Sequence, residues 1–380
     1  MMHSNRKIRV LQTIHQGRVG GGERHVLDLV STIDTSRFEP IVLSFTEGPM
    51  VDTLRMMQIP VFVIATERPF DFRVWGAVKK LLKEQRIDMV HVHGSRANTN
   101  ILWIARSMGL PVIYTVHGWS FHNELPFWNR KARIFAERLI TRRTGINITV
   151  SESNRQTGMQ VIQGFRSVVI RNGVNLNSFT PDIDGGHVRE SYGFKATDIV
   201  VGFIVRMTIQ KDPLGMVRAF AAAHAIQPAL KLLMVGEGPL KSEVMELAAR
   251  LGLDHAVVFD DFRQDIPRIL KAIDIYCLPS LWEGFPIGVL EAMAMGKAII
   301  ASDVDGTREA LEDNVSGILI PPRNTAVLSA TLLKLANDPA LRCRLANAAL
   351  QRARAEHSIT AMTTKIEEVY SNVFYKLVSH

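Results

Sequence analysis

Two series of short apolar runs, separated by segments of helical spacing, restrict this chain to a small set of folds. Ile8–Ile14, Pro40–Phe45, Val61–Ala65, Met89–His93, Val112–Val116, Asn147–Ser151 and Val168–Ile170 form the first series. Ile199–Val205, Lys231–Gly236, Val257–Asp260, Asp274–Leu278 and Ala298–Ala301 form the second. The runs do not alternate polar with apolar, so each reads as a strand buried on both faces. Helical patterns such as Val74–Gln85 and Asn98–Met108 lie between them. Such strand–helix repetition implies a parallel sheet covered by helices on both faces. Arg171-Asn172-Gly173-Val174 ends the first series, and a polar, turn-rich segment runs on to Gly186. The expectation is α/β architecture with two doubly wound, Rossmann-like domains, 1–175 and 176–358. A length of 380 residues suits two domains. Residues 325–357 are Ala-rich and helical in pattern. The last helix, Ile359–Val378, is expected to pack back on the first domain, because the second sheet is complete without it. Ligands of such folds bind at the carboxyl ends of the strands, so two sheets joined by a hinge predict a site in a cleft between them.

The stretch from Leu278 to Ala310 carries the densest chemistry. The apolar run Ile273–Leu278 stops at Pro279-Ser280, and a polar loop, Ser280–Gly284, follows. Pro286 opens a helical pattern that reaches Met295 and stops at Gly296. Lys297–Ser302 reads as the next parallel strand. Glu283 thus falls on a loop at a strand's carboxyl end, and Glu291 eight residues later, about two turns into the helix. The start of that helix favours an anion, yet two carboxylates repel one. A sugar nucleotide resolves the conflict: the diphosphate takes the helix end, and the carboxylates accept hydrogen bonds from hydroxyls of ribose and sugar. The plainer alternative is two surface acids on an ordinary βαβ unit.

Other polar residues gather at predicted strand ends. Arg206 follows Ile199–Val205, and Lys211 comes five residues later. A guanidinium can fork across two oxygens of a diphosphate while an ammonium acts as a point charge, and the two repel each other without an anion. Gly236-Glu237-Gly238-Pro239 admits close approach of a ligand to the backbone. Gly20-Gly21-Gly22 follows the first strand and opens a helix. With Gly17 it does not have the G-x-G-x-x-G spacing, which disfavours a dinucleotide dehydrogenase, but Gly21 and Gly22 can still lie against a phosphate or sugar. His117 ends the strand Val112–Val116, where it can donate to an oxyanion or move a proton, or else serve only as a satisfied structural residue. His91 and His93 rank below it. No compact Cys/His ligand spacing accompanies them, so no zinc site is expected. Asp303-Val304-Asp305 and Asp182-Ile183-Asp184 have the D-x-D form of metal-dependent transferases, but two residues with a gap arise often by chance. With Arg206 and Lys211 on the diphosphate, no metal and no other cofactor is required.

Charge is unevenly spread. Residues 1–175 hold 24 Lys and Arg against 13 Asp and Glu, and the remainder 21 against 24. The basic half suggests an anionic partner. Its densest cluster, Arg130, Lys131, Arg133, Arg138, Arg142 and Arg143, follows Leu125-Pro126-Phe127-Trp128. One reading is a solvated helix face. The sharper one is a helix on an anionic membrane surface with aromatic anchors. No nucleic-acid-binding motif is present, so nucleic acid is not expected as a partner. No run approaches the length of a membrane span. Cys277 and Cys343 are the only cysteines, which fits a reducing cytosol. The expected location is therefore cytoplasmic, at the cytoplasmic face of the inner membrane.

Assembled, these residues resemble the retaining glycosyltransferases of family 4, which have the GT-B fold. Glu283-Gly284-Phe285-Pro286 through Glu291-Ala292-Met293-Ala294 is similar to the family's E-x7-E motif. Arg206 and Lys211 match its phosphate-binding pair, Val235–Pro239 its V-G-x-G-P turn, and Ile170–Val174 its interdomain I-x-N-G-V. Gly21-Gly22-Glu23-Arg24 and His117-Gly118 match its N-terminal pattern. The resemblance implies roles. Glu291 would bind the ribose, and Glu283 the transferred sugar. Gly284 and Phe285 would offer backbone N–H groups, with Gly236 and Pro286 beside the donor. Arg206 and Lys211 would stabilise the leaving diphosphate, and His117 would meet the donor sugar. The base would lie near Phe262-Arg263. It implies transfer from a sugar nucleotide, UDP favoured over GDP, to a hydroxyl of a glycan or lipid-linked acceptor in polysaccharide or lipopolysaccharide synthesis. The alternatives are a GT-B sugar-nucleotide epimerase and a non-catalytic sugar-nucleotide binding protein. Phe285-Pro286 departs from the usual Phe-Gly, and Val205-Arg206 from the usual Gly-Arg.

Overall fold

The computed structural model describes residues 6–17, 20–122 and 124–378. Met1–Asn5 lie outside the described residues. The chain divides into two compact units between Asn172 and Gly173, and the residues from Ile359 onward belong with the first. Local pairing explains the place of that division, three residues before the expected one. Asn172 Oδ1 lies 3.0 Å from Nδ1 of His25 in the first unit, whereas Val174 N donates to His357 O at 2.8 Å in the second.

The N-terminal unit has seven strands: β1 (Ile8–Ile14), β2 (Phe38–Ser44), β3 (Val61–Val63), β4 (Met89–His93), β5 (Val112–Val116), β6 (Ile146–Thr149) and β7 (Val168–Val169). Their helices are α1 (Gly21–Thr32), α2 (Pro49–Met56), α3 (Phe72–Glu84), α4 (Ser95–Ser107), α5 (Phe127–Thr141) and α6 (Glu152–Val161). The C-terminal unit begins with α7 (Val188–Ser191). Its strands are β8 (Ile199–Ile204), β9 (Leu230–Val235), β10 (Val257–Asp260), β11 (Ile275–Leu278), β12 (Ala298–Ser302) and β13 (Ile318–Ile320). Its further helices are α8 (Pro213–Ile226), α9 (Lys241–Arg250), α10 (Ile266–Ala272), α11 (Ile287–Ala294), α12 (Asp305–Ala310), α13 (Thr325–Asn337) and α14 (Pro339–Glu356). α15 (Ile359–Val378) closes the chain.

Both sheets are parallel throughout, with orders β3-β2-β1-β4-β5-β6-β7 and β10-β9-β8-β11-β12-β13. The order reverses between β1 and β4 in one sheet and between β8 and β11 in the other, and ligands of doubly wound sheets bind outside such points. β13 is a sixth strand of the second sheet that the apolar pattern does not reveal.

Strand parity sorts the first core. Leu11, Val90, Val92 and Tyr114 pack with α3 and α4 on one face. Val10, Met89, Ile113 and Ile148 pack on the other with Ile359, Met362, Ile366, Val369 and Tyr370 of α15. Burying those five side chains favours docking of α15 by on the order of 10 kcal/mol before entropy is subtracted. Gln12, His91, His93 and Thr115 share the parity of the α15 face and are buried. An apolar face therefore carries a polar line that needs internal partners.

Candidate active site

In the C-terminal unit, the segment after β8 and the loop after β11 are tied together. Beyond β8 the chain makes a single 3-10 turn, Ile209–Lys211. Asp212 follows at φ 49°, and its side chain caps α8 through Gly215 N. Leu281 N donates to Gln210 O at 2.7 Å, and Gln210 Nε2 donates to Trp282 O at 2.8 Å. These bonds bring Lys211 Nζ into a close ion pair with Glu283 Oε1. The Glu283 side chain keeps 6% of its surface and that of Lys211 19%. The sequence alone suggests that Lys211 and Arg206 repel each other until an anion arrives. In the folded chain the protein's own carboxylate answers the charge of Lys211. Arg206 is exposed at the same edge.

The surrounding backbone is crowded. A Cβ on Gly236 would collide with Val205 O, and one on Gly306 with Gly284 O. The turn after β9 therefore lies against the Arg206 segment, and the Glu283 loop against the start of α12. Phe285 is buried, with its ring 5.6 Å from that of His357. Pro286 caps α11 at φ −76°, ψ 109°, so the proline fits the extended residue ahead of the helix. Because α11 starts at Ile287, Glu291 lies little more than one turn into it rather than two; it is partly exposed.

At the end of β10, Arg263 pairs with Asp265 at 2.8 Å and Asp260 at 3.3 Å. Tyr192 OH donates to the same Asp260. These acids push the Arg263 pKa upward, Asp265 foremost. Phe262 beside it is half-buried. Acids of both D-x-D pairs have partners within the protein. Asp303 is bound by Arg308 at 2.6 Å, and Asp184 accepts from Gly186 N at 2.8 Å within its own turn.

In the N-terminal unit the glycine turn opens α1 at the end of β1. Gly21 is exposed, and a Cβ on Gly22 would lie 3.5 Å from Cδ2 of His117. His117, partly exposed, is the outermost member of a chain of side chains. Its Nε2 lies 3.0 Å from Nδ1 of His93. His93 Nε2 lies 2.9 Å from Gln12 Oε1, and Gln12 Nε2 donates to Tyr370 OH at 2.8 Å. Tyr370 OH is 2.6 Å from His91 Nδ1, whose Nε2 is 2.7 Å from Thr115 Oγ1. Burial holds His91, His93 and His117 well below the ordinary imidazole pKa, and His25 at about 4, so all four are neutral near pH 7. Sequence reasoning singles out His117 but not His25, Gln12 or Tyr370.

Nitrogens of His25, His93 and His117 lie within 4.8 Å of one another, and His25 Nε2 has no hydrogen-bond partner among the described residues. A zinc ion would need three lone pairs converging on one point about 2.0–2.1 Å from each nitrogen. The His93 and His117 rings instead meet edge to edge, 24° apart, with a centroid separation of 5.3 Å. That separation is about the N···N distance plus two ring radii. The two nitrogens thus face each other in line around a shared proton, which does not fit a metal without rotation of a ring.

Comparison with known proteins identifies the family and the fold. The family described as glycosyl transferases group 1 matches residues 187–352, and that described as Glycosyltransferase Family 4 matches residues 19–178. A D-inositol 3-phosphate glycosyltransferase of Actinosynnema mirum is 30% identical over 287 residues, covering 70% of this chain and 68% of the relative. The UDP-Gal:alpha-D-GlcNAc-diphosphoundecaprenol alpha-1,3-galactosyltransferase of Escherichia coli is 27% identical over 356 residues, 90% of this chain and 91% of that one. Among solved structures, Anabaena Alr3699/HepE in complex with UDP and glucose superposes with a TM-score of 0.85 at 23% identity, over 96% of this chain and all of its own. WaaG, a glycosyltransferase involved in lipopolysaccharide biosynthesis, superposes at 0.76 with 17% identity, over 95% of this chain and 99% of its own. The chain belongs to glycosyltransferase family 4 and has the GT-B fold.

Proposed function

We propose that this transferase moves a hexose from a UDP-sugar, with retention of anomeric configuration and without a metal, to a hydroxyl of a lipid-linked or lipopolysaccharide glycan. The observation that carries the reading is the ammonium–carboxylate pair of Lys211 and Glu283, tied to the Arg206 segment at the switch point of the C-terminal sheet. In the proposed reaction Lys211 and Arg206 neutralise the charge that builds on the leaving diphosphate, a preorganised electrostatic role. Glu283 accepts from sugar hydroxyls, Glu291 from the ribose, and His117 meets the sugar. Gly21, Gly22 and Gly236 leave room for the donor, Gly284 and Phe285 offer it backbone N–H groups, and the base lies near Phe262 and Arg263. The choice of UDP is supported by the UDP-Gal in the Escherichia coli relative's name and by the Anabaena complexes. The undecaprenol acceptor named for that relative supports a lipid-linked substrate.

Peripheral membrane contact at the cytoplasmic face belongs to the same proposal. No helix among the described residues is long and apolar enough to cross a membrane. On α5, however, Phe127, Trp128 and Phe135 are 62%, 79% and 68% exposed. Helical spacing places them on one face with Lys131, Arg138 and Arg142, while Glu137, Ile140 and Thr141 are buried on the other. Exposed aromatics among cations suit an anionic lipid surface.

The test is release of nucleoside diphosphate from a panel of sugar nucleotides, with and without a polyprenyl-diphosphate sugar, in buffer containing EDTA. Acceptor-dependent release of UDP and an axial product linkage from an axial donor are expected. Release indifferent to acceptor, loss of turnover in EDTA, or an inverted product overturns the corresponding part.

A further inference from the structure

The side chains behind His117 constrain where its proton sits. Gln12 Nε2 donates to Tyr370 OH, so Gln12 turns its carbonyl oxygen toward His93 Nε2. A carbonyl only accepts, so His93 carries its proton on Nε2. His93 is neutral, which leaves its Nδ1 as an acceptor facing His117 Nε2 at 3.0 Å. The proton between them therefore belongs to His117 Nε2. The same count runs outward from Tyr370. Its oxygen accepts from Gln12, its own proton goes to His91 Nδ1, and His91 Nε2–H reaches Thr115 Oγ1. Every contact between His117 Nε2 and Thr115 Oγ1 then has one donor and one acceptor. Burial also holds the Tyr370 hydroxyl protonated.

We propose that Tyr370 and Gln12 act as positioning residues that hold His117 as its Nε2–H tautomer, leaving the Nδ1 lone pair to accept from a hydroxyl of the donor sugar. This rests on the proposed placement of His117 at that sugar. It excludes His117 as a donor to an oxyanion, the other role its position allows. It also gives α15 a task beyond packing. Without the Tyr370 hydroxyl, the Gln12 amide can turn over. Its NH2 would then face His93 Nε2, the His93 proton would move to Nδ1, and that of His117 would be forced to its Nδ1. No atom is gained or lost; only the direction of the donors reverses.

The experiment is nitrogen NMR of the full chain with ring-labelled histidine, His117 being assigned from the His117→Ala spectrum. In the unsubstituted chain, with and without UDP, His117 Nδ1 is expected to be unprotonated. Tyr370→Phe, which changes no packing volume beyond one oxygen, is expected to give a second population protonated at Nδ1 and to lower kcat/KM about tenfold. His93→Leu severs the link directly and is expected to mix the tautomers whatever residue 370 is. His93→Asn, which keeps an acceptor near the Nδ1 position, is expected to restore one tautomer and most of the rate. A purely structural Tyr370 would alter stability and leave the tautomer pure, which overturns the proposal. A proton on His117 Nδ1 in the unsubstituted chain overturns it as well. A tautomer that shifts as expected while kcat/KM is unmoved keeps the relay and refutes the contact with the sugar.

Discussion

Removing the charge of Lys211 should separate stability from catalysis. In Lys211→Met the Glu283 carboxylate, 6% exposed, loses the ammonium that balances it. Breaking a buried pair from one side costs about 3–5 kcal/mol. Lys211 retains 19% of its side-chain surface, so the lower end, about 3 kcal/mol, applies here. Glu283→Gln strands the ammonium instead and should cost somewhat less, since a lysine can reach toward water. The double variant leaves no buried charge, and its cost should fall to about 1 kcal/mol; with about 3 and about 2 kcal/mol for the singles, the coupling energy is about 4 kcal/mol. Turnover should behave differently. In the proposed roles each single variant loses a group that acts on the diphosphate or the sugar, so each should lose about a hundredfold or more in rate, and the double should recover none of it. Hydrogen exchange of peptides spanning 275–294 under increasing urea measures the first quantity, and UDP release the second. If the double variant is as unstable as the sum of the singles, the two charges are not coupled in the fold. If it regains turnover, Lys211 serves only to hold Glu283.

Four further outcomes follow from the same residues. Arg206→Ala should lower kcat by about a hundredfold with little effect on stability, because the residue is exposed; near-native kcat would remove it from the leaving group. Glu291→Ala should chiefly raise the donor KM, as expected of a residue that binds ribose in ground and transition states alike; isothermal titration with UDP checks this, and an unchanged affinity contradicts it. Tyr276→Phe should stabilise the C-terminal unit by about 1 kcal/mol, since the buried Tyr276 hydroxyl has no partner among the described residues; a loss of stability in urea would reveal a partner. The N-terminal unit should weaken as pH falls from 6.5 toward 4. Burial sets the His25 pKa at about 4, against 6.5 for the free group, despite the opposing bond to Asn172. Its contribution is complete above 6.5 and lost as the unfolded chain takes up a proton that the folded one refuses, up to about 3 kcal/mol. His91, His93 and His117 act in the same direction. Asp28, raised to about 6 by burial against the pull of Arg24, and Glu137, raised by burial, act oppositely, but two carboxyls stand against four imidazoles. Four of the five tryptophans lie in this unit, so their fluorescence during urea unfolding at pH 7 and 5 reads the difference. Greater stability at pH 5 would refute the burial argument.

The parallel sheets were legible because their strands are apolar on both faces, and Ile8–Ile14, Met89–His93, Val112–Val116 and Val257–Asp260 have the expected bounds. β13 escaped because Ile318–Ile320 is three residues long and runs into Pro321-Pro322, too short a run to show a period. β3 ends at Val63, short of the expected Ala65, since Ile64 and Ala65 are apolar yet lie beyond the strand's last pair. The pattern of Ile359–Val378 has the observed bounds, and its stripe of apolar residues is the one buried with β1 and β4.

The candidate site residues divide along a physical line. Arg206, Lys211, Glu283 and His117 could be named because each stands within a few residues of a strand's carboxyl end, and that position follows from local pattern alone. Their partnerships could not. The pairing of Lys211 with Glu283 depends on a 3-10 turn meeting a loop 72 residues away, and no periodicity reports that meeting. The histidines offered a faint signal. His91 and His93 stand two apart in a strand and so share a face with Gln12, and three polar residues on one buried face must be answered by something. The answer is a hydroxyl 358 residues from Gln12, placed by the docking of α15. Strand parity could thus state that a partner was needed, while only the closed fold could say that Tyr370 supplies it and, through it, which nitrogen of His117 is left bare.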